Sequence, residues 1–313
     1  PWRMRYCALQ NVTLNLPRIA YLSMGDDTQL FSKITEFIEM AVRAHLEKKN
    51  FIGKLLSLGE KGPLALLAMD RDGSPYLRMP RASFLIGMVG LTGQELHQSR
   101  QAFKFGLKVI AHMKLMVEKL SERYGMHFVL EQTPAESTAY RFAKLDLKYH
   151  SPKSGHIVKG DVSKGEVYYT NSTYLNNSAV LNPIERVRQE GLFHPLIEAG
   201  ALTHIWLGEA KPSKSSLANF VIKTFQWTQN DQIAFSPEFT TCNFCHRTTR
   251  GLRSMCAYCG SGDVDGITRI TGYFTKTSSW NKGKLGELKN RYRNQGFLEK
   301  KEGETVELLI NEH

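Results

Sequence analysis

No apolar run in this sequence approaches the roughly 20 residues that a bilayer-spanning helix needs. Its start carries no secretory signal pattern, and nowhere is there an internal repeat or a low-complexity tract. The expectation is a soluble, cytoplasmic protein with no membrane partner. Cysteine is scarce, with five in all, and the odd number argues against a disulfide framework. An initiating methionine is missing too. The chain opens at Pro1 and runs at once into a strand-like pattern, which suggests a piece of a longer polypeptide or the downstream half of a split one.

Hydrophobic residues make up 42% of the 313 positions and charged ones 23%, enough for a real core in one large domain or two ordinary ones. The net charge of +11 suits a partner that carries phosphate. Basic residues crowd "WNKGKLGELKNRYRNQGFLEKK" near the C-terminus. A solvated basic face and a nucleic-acid footprint both account for that run.

Val12, Leu14 and Leu16 alternate, predicting a strand over 11–16 that Pro17 ends. Asp27 is the expected N-cap of a helix over 28–49, with Leu30, Phe31, Ile34, Phe37, Ile38 and Ala41 on one stripe. "SFLIGMVGL" reads as a buried strand, where Gly87 and Gly90 suggest close backbone approach. A helix over 94–124 follows, with Gly125 as its stop, and then the strand "HFVLEQ". Thr133, Pro134 and Glu136 fit the N-cap, N1 and N3 of a capping box that opens a helix to about 148. Strands thus alternate with helices over 11–148, which predicts a parallel α/β layout, barrel or open sheet, with its chemistry at the C-terminal strand ends. "YYTNSTYL" reads as a strand end, "THIWLGEA" and "DQIAFSPEF" as strands, and 216–225 as a helix. From about residue 240 the composition shifts to Cys, Gly, Arg and Lys. We place a boundary near 238, giving 1–238 as the α/β part and 239–313 as a small C-terminal domain. His45, His97 and His112 fall in the predicted helices as surface or satisfied core residues.

Cys242, Cys245, Cys256 and Cys259 form CxxC, ten residues, CxxC. Two such knuckles can wrap one ion with four thiolates, and zinc is the default because it accepts a closed tetrahedron of sulfur. A redox-active CxxC and an iron centre are the other readings of the same spacing; His246 could replace a sulfur, but four cysteines already suffice. A closed site of this kind is structural and folds a segment too small to fold alone.

Thirteen positions after Cys259 stands Gly272, in "RITGYFTKTSSWNKGK". One reading is a turn glycine that needs positive φ. The other is chemical: hydrogen abstraction from a glycine Cα leaves a radical that no side chain hinders from becoming planar. Its unpaired electron spreads over the flanking amide nitrogen and carbonyl.

Arg269, Gly272 and Tyr273, then Asn281, Gly283 and Lys284 in a basic segment, after four cysteines, resemble the glycyl-radical loop of the anaerobic (class III) ribonucleoside-triphosphate reductases. "VTLNLPRIAY", "EQTPAESTAYRFAKLD", "YYTNSTYL" and "FSPEFTTCNFC" resemble family segments in family order, so the likeness extends over nearly the whole chain. It implies part of a β/α barrel of the glycyl-radical enzyme type, followed by a zinc ribbon that carries the radical. Gly272 would store that radical, installed by an activating enzyme that uses S-adenosylmethionine and an iron–sulfur cluster. The radical would pass to a cysteine as a thiyl, which takes the 3′-hydrogen of a ribonucleotide; the 2′-hydroxyl then leaves as water. The family setting of that cysteine is missing around Cys7, so the thiyl is expected upstream of Pro1 and Cys7 in the core or a pocket wall. Glu136 matches an active-site glutamate facing the ribose. Thr133, Ala135 and Ser137 at the helix start would offer groups to a substrate phosphate. Asn15, with Arg18, and Asn171 with Ser172 would line the pocket. Glu131 departs from the formate-using branch, which has tyrosine there, so the reductant is formate or a small redox protein. A homodimer and an upstream half of the same enzyme are the implied partners. The other readings are a zinc-ribbon nucleic-acid-binding protein and a radical-bearing accessory subunit completed in trans.

Overall fold

The structure, a computed structural model, describes residues 6–70, 73–91 and 99–294. β1 (Cys7–Asn15) is longer than the alternation alone marks, and Pro17 does not simply end it. The chain turns directly into α1 (Leu16–Leu22), whose first turn tolerates a proline because its N–H would go unpaired there anyway. Asn15 caps this helix, its Oδ1 accepting from the Arg18 amide at 3.2 Å. α2 (Asp27–Leu56) starts one residue earlier than expected and runs seven residues further. Its N-cap is Asp26, not Asp27, because the Asp26 carboxylate takes the amides of Thr28 (2.7 Å) and Gln29 (3.1 Å). The short α3 (Ala65–Ala68) leads to β2 (Ala82–Val89), and α4 (Arg100–Tyr124) follows, capped by Ser99 and stopped by Gly125 at φ 57°. The expected helix start at 94, with His97, lies outside the described residues. β3 (His127–Glu131) completes a parallel sheet in the order β1-β2-β3.

One face of this sheet, with Leu14, Phe84, Ile86 and Met88, packs on Ile34, Ile38 and Val42 of α2 and on Ile110, Met113 and Val117 of α4. Full burial of such side chains stabilises by roughly 1.5–3 kcal/mol each. His45 is fully buried, its Nε2 bonded to the Leu85 carbonyl at 2.9 Å; His112 meets Thr35 Oγ1 at 2.9 Å. Both are packing residues, with His45 Nδ1 left without a hydrogen-bond partner. A Cβ at Gly87 would sit 1.7 Å from Thr133 Oγ1, which is the close approach foreseen there.

α5 (Glu136–Tyr149), the antiparallel pair β4 (Lys159–Asp161) and β5 (Glu166–Tyr168), and α6 (Pro183–Glu190) come next. β6 (Leu202–Gly208), α7 (Lys214–Trp227) and β7 (Gln232–Pro237) form a second parallel unit. It is tied to β3 where the Ala199 amide donates to the Leu130 carbonyl (2.9 Å) and the Leu202 amide to Gln132 Oε1 (2.7 Å). The fold is thus mixed α/β, with five parallel strands in ladders of three and two; closure into a barrel is not seen among the described residues. No described helix is long and apolar enough to cross a membrane. An antiparallel sheet ends the fold: β8 (Phe239–Cys242), β9 (Thr248–Arg250), β10 (Val264–Thr268) and β11 (Thr275–Lys276), in the order β11-β10-β8-β9. α8 (Lys282–Asn290) follows and packs on β5 and α5.

Within α6, Arg186 and Glu190 are each 1% exposed and pair at 2.8 Å, and the Leu175 amide also donates to Glu190. Arg186→Met would leave a buried carboxylate without its counter-charge. We expect it to cost about 3–5 kcal/mol in urea unfolding, with most of the loss recovered in the Arg186→Met/Glu190→Leu double variant.

Candidate active site and metal centre

β8 ends on Cys242, so the first knuckle starts at a fixed strand end. The Cys245 amide points at Cys242 Sγ and the Tyr258 amide at Cys256 Sγ, each at 3.4 Å. Cys242 and Cys259 lie 3.6 Å apart through sulfur, as do Cys245 and Cys256, and all four sulfurs fall within 4.8 Å of one another. A tetrahedron with metal–sulfur bonds of about 2.3 Å has edges of roughly 3.8 Å, so the four thiols fit a tetrahedral thiophilic ion such as zinc. Amides of Cys259 and Tyr258 aimed at its sulfur pull the Cys256 thiol down, while burial and the neighbouring thiols push Cys259 up, so the cluster favours a thiolate at Cys256. His246 stays outside the cluster.

The ribbon's third strand, β10, hands the chain to the Gly272 loop. Arg269 anchors the near end, with Nε donating to Ser236 Oγ (3.0 Å) and its guanidinium 4.8 Å over the Phe274 ring. The loop's centre rests on Glu136. The amides of Thr271 and Gly272 both donate to Glu136 Oε1, at 2.8 and 2.9 Å, and the Thr271 hydroxyl lies 3.3 Å away. Lys284 Nζ pairs with the other oxygen at 2.7 Å. The capping box expected at Thr133 is therefore not formed: α5 begins at Glu136 with no side-chain cap. Glu136 instead serves the loop, and Thr133 Oγ1 turns to Asn11 Nδ2 (3.1 Å) and Glu131 Oε2 (3.4 Å). Burial alone would raise the Glu136 carboxyl, but Lys284 and the two amides outweigh it and hold the group below the usual carboxylate range.

Gly272 lies in a bend but does not need the left-handed backbone that favours glycine. Its φ lies outside the left-handed region, and an added Cβ would meet only Glu136 Oε1, at 3.5 Å, an ordinary contact. Neighbouring Tyr273 is 89% exposed.

α8 closes the site, capped by Asn281, whose Oδ1 accepts from the Lys284 amide at 3.0 Å. It lies so close to its neighbours that a Cβ at Gly283 would come within 2.7 Å of Tyr140, and one at Gly286 within 2.4 Å of the Glu166 carbonyl. The basic run is neither a bare solvated face nor a free footprint over its described part. Lys284 pairs with Glu136, Lys289 with Glu166 (2.6 Å), Arg293 with Glu238 (2.8 Å), and Arg291 approaches Glu238 at 3.6 Å.

Ser137 Oγ accepts from Asn281 Nδ2 at 3.4 Å, and Ala135 is buried at the start of α5. Both thus lie beside Glu136. Asn15 and Arg18 are committed elsewhere: both bond the fully buried Asp146, at 2.9 and 2.7 Å, with the Tyr169 hydroxyl as a third donor. Asn171 and Asn177 donate to Glu287 of α8, and Ser172 is buried. Asn11 also bonds Glu131, whose carboxyl burial raises. Cys7 is half-buried against the sheet core and burial pushes its thiol up, as suits a packing residue. Glu238 and Glu287 carry no local sequence signal of a site role, and Lys284 has one only through the resemblance at "NKGK".

Burial pushes the Glu287 carboxyl up to about 7, with Arg291 opposing and Glu136 adding to the rise. Between its ordinary value of 4.5 and about 7 the fold holds a proton that the unfolded chain has lost. This contribution is therefore full below 4.5 and is lost as pH rises to about 7, a change of about 3 kcal/mol. Buried His194 and His204, held near 4 and 3, act in the opposite sense. The test is thus a difference. Glu287→Gln should gain stability relative to wild type by about 3 kcal/mol between pH 4.5 and 7 in denaturant titrations.

What the fold and site define is a mixed α/β chain in which a ribbon with four thiols placed to fit a metal presents a glycine loop to a half-buried carboxylate. The family model for anaerobic ribonucleoside-triphosphate reductase matches residues 3–293, and the chain belongs to that family. The anaerobic ribonucleoside-triphosphate reductase of Salmonella typhimurium is 26% identical over 312 residues, covering 91% of this chain and 42% of that protein. That of Enterobacteria phage T4 is 26% identical over 304 residues, covering 91% and 48%. Among solved structures, the anaerobic ribonucleotide reductase from Thermotoga maritima superposes with a TM-score of 0.72 at 23% identity, over 88% of this chain and 45% of that one; it shares the fold. The chain spans about half the length of the relatives it matches.

Proposed function

We propose that this chain is the radical-bearing half of an anaerobic ribonucleoside-triphosphate reductase, with Gly272 as the residue that stores the unpaired electron. The observation that carries this is the loop: a glycine that neither φ nor space requires is held, through its own amide and that of Thr271, on a half-buried carboxylate. What glycine alone still offers there is an unhindered Cα. The zinc held by Cys242, Cys245, Cys256 and Cys259 would fix the ribbon that presents the loop and takes no part in bond breaking. We divide the chain at 238, where β7 gives way to β8, and read the five parallel strands as one side of a barrel. A ribonucleotide would be the substrate, a radical S-adenosylmethionine enzyme the activating partner, a second copy the dimer partner and the cytoplasm the compartment. The cysteine that contacts the ribose would come from the half of the enzyme this chain does not cover.

Electron paramagnetic resonance tests this. After anaerobic activation a doublet is expected, split by the one remaining α-hydrogen of Gly272, and air should then cut the chain at that residue. An intact chain and no doublet, with another family member activated in parallel, would overturn the reading.

A further inference from the structure

Glu136 stands at the first position of α5, a rigid element, and is 13% exposed. Its two oxygens are both engaged: Oε1 by consecutive amides, Oε2 by Lys284. Two successive amides converging on one anionic oxygen form a small anion cradle, and here the protein itself supplies the anion. The usual arrangement is inverted. The loop's backbone is the host, and a fixed side chain of the α/β frame is the guest.

This has a consequence for a radical on Gly272. Such a radical keeps its energy low only while Cα stays coplanar with both flanking peptide groups. Part of its stability comes from electron density donated by the Gly272 nitrogen. The 2.9 Å bond from that N–H to a carboxylate fixes the peptide plane on the N-terminal side. A charged acceptor also polarises the N–H more strongly than a neutral one, leaving more electron density on nitrogen. Lys284 prevents the carboxylate from rotating away, and is itself held 4.6 Å over the Trp280 ring.

We infer that Glu136 is the positioning residue of Gly272: its negative charge fixes the loop's peptide plane and sustains the radical held there. This rests on Gly272 being the radical site. It is compatible with a contact to the ribose, since Oε2 meets only Lys284 and keeps a lone pair for a further donor.

Two measurements test it. Hydrogen exchange on the unactivated wild-type chain comes first, because it needs neither a variant nor a radical. The Thr271 and Gly272 amides should be protected, although the next residue is exposed. Exchange as fast as in an open loop overturns the proposal. In Glu136→Gln, which keeps the side-chain shape, both amides should exchange about tenfold faster as a charge-assisted bond becomes a neutral one. After activation the same variant should give a doublet of altered hyperfine pattern and shorter anaerobic lifetime. A doublet identical to wild type in intensity, shape and lifetime would overturn the inference and leave Glu136 a role in docking only. Failure of the underlying reading looks different: the amides are protected, but the wild type gives no doublet, or Gly272→Ala still gives one.

Discussion

Replacing Cys256 by serine should free the Gly272 loop from Glu136 while leaving the α/β frame folded. The reason is the poverty of the ribbon's own core. Between 239 and 268 the buried positions are mainly Thr240, Cys242, Cys256, Asp265 and Thr268, and large apolar side chains are absent from them. Phe244, Met255 and Tyr258 point outward from the knuckles. The four thiols therefore have to do what a core would do. Structural zinc in small peptides supplies about 10–16 kcal/mol of apparent folding free energy, as much as an entire domain's stability. The frame keeps its own source of stability in the sheet β1-β2-β3 with α2 and α4, a core to which no described ribbon residue contributes. We expect wild type to bind one zinc per chain and Cys256→Ser to lose it. Protease should then cut the variant between 242 and 276 while the rest resists. A chelator should do the same to the wild type. Wild-type protease resistance in a metal-free variant would show that the ribbon stands without an ion.

Such a centre was legible because it is local: two CxxC pairs announce themselves by spacing alone. Long helices are legible for a related reason. The stripe Ile34, Ile38, Ala41 of α2 and the stripe Ile110, Met113, Val117 of α4 repeat at the helical period because the sheet sees one side of each helix only. Legibility failed where a residue answers to a partner far away in the chain. Thr133, Pro134 and Glu136 have the form of a capping box, yet Glu136 bonds amides 135 and 136 positions downstream. A charge-assisted bond to a lysine and two loop amides outbids one local cap. The basic run misled in the same way. Lys284, Lys289 and Arg293 look like a solvated face until the acids at 136, 166 and 238 are brought against them. Asn15 and Arg18 sit at a strand end, where pocket residues are expected, but a buried Asp146 claims both. Barrel or open sheet could not be decided from alternation, since both give the same pattern along the chain.

Gly272→Ala should abolish the radical and leave the protein at least as stable as before. The two halves of this expectation have separate grounds. On stability, the backbone there is not left-handed, and the new Cβ would rest at 3.5 Å from Glu136 Oε1. At such a site alanine restricts the unfolded chain more than it disturbs the folded one, a gain of about 0.4–1 kcal/mol. On chemistry, an alanyl Cα carries a methyl group that crowds the planar form against its own peptide neighbours, and the electron loses its store. We expect no doublet and no reductase turnover in the assembled enzyme, with a thermal midpoint equal to wild type or slightly higher. The amide bonds to Glu136 should survive, since they involve nitrogen and not Cα, so hydrogen exchange at 271 and 272 should not change. A glycine retained for its backbone would give the opposite pair: a lower midpoint, faster exchange in the loop, and turnover reduced only as far as the fold is lost. The two accounts of this glycine differ in the sign of the stability change, and that sign is measurable before any radical is made.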